Sequence, residues 1–127
     1  MNMTKGLVAV GALMFAGFGL NGLLRPDSLL DMMQAEARHA TTFNELRAMY
    51  GGFELGVAAF LVACLLDRWS LRAGLFLLTS IFVAAAASRA VSLVLDGVPS
   101  QLFLNVWIFE IVLAGLCIKA LTKEGEG

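Results

Sequence analysis

Groups that do chemistry are scarce in this chain. Its 127 residues include one histidine, His39, and two cysteines, Cys64 and Cys117. The cysteines lie far apart inside apolar stretches, with no C-x-x-C pair and no Cys/His cluster. This spacing excludes a zinc site of the usual kind and a secreted disulfide framework. Both thiols are expected to behave as small buried apolar groups. Charge is also sparse: 15 % of residues, a net charge of −1, and Lys and Arg scattered at the ends of apolar runs. No basic run is present to bind nucleic acid. H-E-x-x-H, G-x-S-x-G, phosphate-loop and dinucleotide fingerprints are missing, so nothing selects an enzymatic reaction. No catalytic residue, metal or cofactor is assigned. The two prolines, Pro26 and Pro99, fall in links between apolar segments.

Hydrophobicity is what the chain has in abundance: 59 % of residues are apolar, and the mean hydropathy is +0.82. The pattern predicts one all-α domain over 1–127, an integral membrane four-helix bundle. The spans are expected at about 6–24, 44–66, 71–95 and 101–121, each near the ~20 residues a bilayer core requires. Lys5 before the first run has the look of a signal peptide. The run is long, no A-x-A site follows, and three further spans come after it, so it reads as a retained helix. Between the first two spans, Leu29, Leu30, Met33, Ala37 and Ala40 recur at helical spacing among polar residues. That predicts a short amphipathic helix over about 27–40, lying in the interface. Lys5, Arg68, Arg72, Lys119 and Lys123 fall on one side of the membrane, against Arg25, Arg38 and marginal Arg47 on the other. By the positive-inside rule both termini are expected in the cytoplasm.

Four charges interrupt the spans: Arg47, Glu54, Arg89 and Glu110. Each costs about 2.5–3.5 kcal/mol near the bilayer centre unless it finds a partner. At about 1.5 Å per residue, Glu54 and Glu110 lie roughly 15 Å below the outer interface and Arg89 roughly 10 Å below it. Arg47, Tyr50, Gly51 and Glu54 share one stripe of an ideal helix, and so do Arg89, Ser92 and Asp96, and Phe103, Trp107 and Glu110. A polar cluster of Arg47, Tyr50, Glu54, Arg89 and Glu110, with Asn21 at its rim, is therefore expected in the outer half of the bundle. Two carboxylates around Arg89 leave excess negative charge unless Arg47 reaches down or one glutamate carries a proton. Gly52-x-x-x-Gly56, with Gly51, predicts close helix packing.

Glu45-Leu46-Arg47-Ala48-Met49-Tyr50-Gly51-Gly52, followed by Glu54 and Gly56, resembles the small bacterial four-span family catalogued as domain of unknown function 4345. Ser88-Arg89-Ala90, Asp96-Gly97-Val98-Pro99-Ser100 and Glu110 are similar to its second half, so the resemblance covers nearly the whole chain. It implies an inner-membrane four-helix protein and brings no established activity. A more distant similarity is to DoxX-like membrane proteins.

Three functions compete. The first is binding of a lipid, quinone or other amphipathic small molecule in a pocket opening to the outer leaflet, ringed by Tyr50, Phe103 and Trp107. An accessory or assembly subunit with a membrane-protein partner is the alternative. Third is a proton-coupled transporter, weakened because the first span carries Asn21 and no glutamate. A purely structural cluster that fixes helix register is the competing reading.

Overall fold

A computed structural model describes residues 2–125, and among these the fold is all-helical. We label the helices α1 (Met3–Leu24), α2 (Pro26–Met32), α3 (Ala40–Leu65), α4 (Leu71–Asp96) and α5 (Gln101–Gly125). All but α2 are long and apolar enough to cross a membrane. At 22 to 26 residues they reach roughly 33–39 Å, beyond the ~30 Å hydrocarbon core. Leu13, Leu24, Phe76, Val94 and Leu95 are exposed on their outer faces. Such surfaces suit lipid, where a helix also satisfies its own backbone.

Two helices start earlier than hydropathy alone predicts. α1 begins at Met3 because Asn2 caps it, its Oδ1 accepting from the Lys5 amide at 2.8 Å. α3 begins at Ala40 rather than 44. The expected interfacial helix is shorter than its spacing predicts: α2 stops at Met32, and residues 35–39 are not helical. Gln34 turns left-handed at φ 58°. The Ala35 amide then donates to the Leu30 carbonyl, and the Gln34 amide to that of Asp31. This is a Schellman stop, built here without glycine. Asp67 (φ 57°) ends α3 in the same way. Gln34→Gly removes the left-handed strain, which costs ~1–2 kcal/mol for a residue with a Cβ. It should stabilise the protein by about 1 kcal/mol, read as a higher thermal midpoint in detergent.

The chain packs as two units, Ala9–Arg68 and the segment from Trp69 onward with the first turns of α1. In the first, α3 is not a regular helix. Arg47–Phe53 forms a π-turn, with Glu54 starting the regular helix beyond it. The wider i→i+5 turn rotates Glu54 off the stripe that ideal spacing gave it with Arg47.

In the second unit α4 and α5 form an antiparallel hairpin. Leu71, Leu75, Leu78, Phe82, Ala85, Arg89, Ser92 and Asp96 recur at alternating steps of four and three along α4. Phe103, Trp107, Glu110, Ala114, Cys117 and Leu121 do so along α5. This is a coiled-coil seam. Leu75, Leu78 and Phe82 are buried on one side of it, and Ala114 and Cys117 on the other. Gly97, at φ 96°, makes the reversal that a Cβ would strain. Ser70 caps α4, accepting from the Ala73 amide at 3.1 Å. At the far end Thr4 donates to Glu124 Oε1 at 2.5 Å.

Candidate functional site

Arg89 and Glu110 occupy facing positions of the α4–α5 seam. Arg89 Nε donates to Glu110 Oε2 at 2.7 Å, and Nη2 donates to Oε1 at 3.0 Å. This is the two-pronged fork that matches guanidinium to carboxylate. The Glu110 side chain is 11 % exposed and that of Arg89 34 %. The carboxylate is thus the buried partner, and the guanidinium faces outward. Its Cζ lies 5.6 Å from the Phe103 ring centroid, within cation–π range. Trp107 Nε1 donates to the Ala86 carbonyl at 3.0 Å, locking the indole against α4.

Beside this pair lies a cavity of about 420 Å³. Arg89, Ser88 and Ser92 give it a polar patch, and Leu93, Phe103 and Trp107 an apolar wall. Arginine carries five N–H donors, and Glu110 takes two of them. No buried side-chain polar atom among the described residues lacks a partner, so Nη1 of Arg89, which Glu110 does not take, is accessible with its two donors. The serine protons are already used. Ser88 donates to the Ala84 carbonyl and Ser92 to Asp96 Oδ2, both at 2.8 Å. The cavity therefore offers guanidinium donors, serine lone pairs and aromatic faces.

The other expected site residues lie in the first unit. Arg47 Nη1 donates to the Leu23 carbonyl. That carbonyl belongs to the last turn of α1, so Arg47 caps the helix and opposes its negative dipole end. Asn21 Nδ2 donates to Ser28 Oγ at 3.1 Å, across the α1–α2 joint. Tyr50 has an exposed side chain, and its backbone passes against Gly22. Glu54 is half-buried at the start of the regular part of α3. The expected packing motif is corrected. A Cβ at Gly56 would meet nothing within 4 Å, and one at Gly52 only the Arg47 carbonyl at 3.8 Å. Both are exposed. Gly51 does pack closely: a Cβ there would lie 2.9–3.0 Å from Leu23 backbone atoms, with Gly22 as its counterpart on α1. The π-turn sets this choice, because it changes which glycine faces α1.

Ser88 and Pro99 line the cavity but were not among the expected site residues. The signal available for Ser88 was its place next to Arg89. Pro99 carried none beyond its turn.

Residues 3–121 match the family model described as Domain of unknown function (DUF4345). The match covers nearly the whole chain, so the protein belongs to that family. No curated protein and no solved structure matches it.

Proposed function

We propose that this member of the family binds a lipid or other amphipathic small molecule in the α4–α5 cavity, with the polar end of the ligand at Arg89. The observation that carries the reading is a guanidinium pinned along one edge by Glu110, with donors left over at the wall of a cavity. An intramembrane charge is a functional candidate by default. The volume lies in the range of small-molecule sites, which pair apolar walls with a few fixed polar groups. The loop charges support both termini in the cytoplasm and a cavity in the outer half, and the resemblance to a bacterial family supports an inner membrane. Binding is favoured over proton transport because both oxygens of Glu110 are held by Arg89, and a relay through this carboxyl would have to break that fork.

Native mass spectrometry of protein released gently from membranes tests this. Wild type should carry a discrete added mass below that of a polypeptide. R89Q/E110Q, which replaces the ion pair with two amides of similar shape, should lose that mass and keep its fold. Bare wild-type protein, or an added mass indifferent to the substitutions, rejects the reading. An added polypeptide moves the function to assembly with a partner.

A further inference from the structure

We propose that the occupant of this cavity is uncharged at its polar end and accepts hydrogen bonds there, as an ester, ketone or quinone carbonyl does. The proposal rests on the binding reading above and names the ligand class. It follows from a count of donors and a count of charges.

The donors come first. With the protons of Ser88 and Ser92 directed at the Ala84 carbonyl and Asp96, only Arg89 supplies hydrogens on the polar side. A ligand whose polar end engages Arg89 must therefore present an acceptor. Charge then separates neutral acceptors from anionic ones. The positive charge of Arg89 is matched by Glu110 through two hydrogen bonds. Asp96, held by Ser92, adds a negative charge at the same end of the hairpin. The other cations of this hairpin are Arg72, Lys119 and Lys123. Measured along the helices they stand roughly 14 Å or more from the pair. The surroundings of the cavity thus sum to about one negative charge. A carboxylate or phosphate entering an apolar-walled site would meet no spare positive charge, and burying an unbalanced anion is costly. A carbonyl takes the free Arg89 donors without that cost. A flat carbonyl head also suits the ring faces of Phe103 and Trp107.

The test uses the full chain in non-ionic micelles at pH 9. Trp69→Phe leaves Trp107, in the cavity wall, as the sole tryptophan. Quenching of its fluorescence is titrated with 5-doxyl-stearic acid, ionised at this pH, and with the methyl ester of that acid. Concentrations are expressed as mole fraction in the micelle. The ester should half-saturate at roughly tenfold lower mole fraction than the carboxylate, a factor worth one 1.4 kcal/mol step. Glu110→Gln should move the ratio about tenfold toward the carboxylate. Asp96→Asn, on an exposed residue at the turn, should move it about threefold the same way. The Asp96 variant carries the test if Glu110→Gln fails to fold. A carboxylate that binds as well as the ester, or a ratio that neither substitution moves, overturns the neutral-ligand proposal and leaves the binding reading standing. Absence of saturable quenching by either probe overturns the binding reading itself.

Discussion

Arg89→Ala is expected to cost about 3 kcal/mol of stability or more, whereas Arg89→Leu combined with Glu110→Leu should stay within about 1 kcal/mol of the parent. Removing one partner of a buried ion pair leaves the other charge without compensation, and measured losses run ~3–5 kcal/mol. Glu110 is the buried partner, so deleting the arginine is the harsher cut. Arg89 is a third exposed, so in Glu110→Ala the guanidinium can turn outward, and the loss should be smaller. Replacing both by leucine removes two desolvation costs and extends the apolar seam between Phe82 and Ala114 on one side and Ser92 and Trp107 on the other. Unfolding in detergent of Arg89→Leu, Glu110→Leu and their combination closes a double-mutant cycle, and the alanine variants add the cost of leaving each charge alone. A stable double variant that has lost its bound mass would show that the pair serves the cavity and is dispensable for folding. An Arg89→Ala protein as stable as the parent would contradict the burial of a charged Glu110.

The four long helices were legible because apolar runs of this length admit few other structures, and Asp96–Ser100 announces the hairpin turn. The Arg89–Glu110 contact was legible in outline. Arg89 precedes the turn and Glu110 follows it by similar distances, and both stand at steps of three and four from apolar seam residues. What spacing did not show is the π-turn. Arg47–Phe53 reads as ordinary helix by composition, and the extra width of a π-turn has no signature in hydropathy. Every face drawn through that segment was therefore displaced, including the one that joined Arg47 to Glu54. Arg47 illustrates a second limit. An intramembrane arginine is read first as the partner of a carboxylate, but the open carbonyls at a helix C-terminus are also acceptors, and here Leu23 is the one it finds. The early end of α2 escaped notice because its left-handed stop falls on Gln34, where glycine or asparagine is the usual sign.

Gly22→Ala should be among the most damaging single-methyl additions in this chain, and Gly56→Ala among the least. A Cβ on Gly22 would fall on the Tyr50 carbonyl, 2.5 Å from its carbon and 3.0 Å from the Gly51 amide nitrogen. These are backbone atoms, so no side-chain rotation makes room, and either α1 or the π-turn must move. Overpacking of this kind costs ~1–3 kcal/mol and sometimes more. The upper end is expected here, since the shift would also draw the Leu23 carbonyl away from Arg47. Gly51→Ala meets Leu23 backbone atoms at 2.9 and 3.0 Å and should cost about 2 kcal/mol. At Gly19 a Cβ would meet the Leu55 Cγ at 2.9 Å and the Leu55 backbone nitrogen at 3.0 Å; the side chain can rotate away but the backbone cannot, so alanine there should cost only slightly less than at Gly51. Gly56 has open space, and alanine at a helix interior gains ~0.5–1 kcal/mol over glycine. Thermal midpoints in one detergent should therefore order Gly56→Ala, parent, Gly19→Ala, Gly51→Ala and Gly22→Ala from highest to lowest. The ordering separates two roles for glycine that the sequence alone leaves indistinguishable: a gap in a lipid-facing surface, and a place where two backbones touch. If Gly22→Ala matched the parent, the close crossing of α1 with the π-turn would be wrong, and with it the capping role of Arg47.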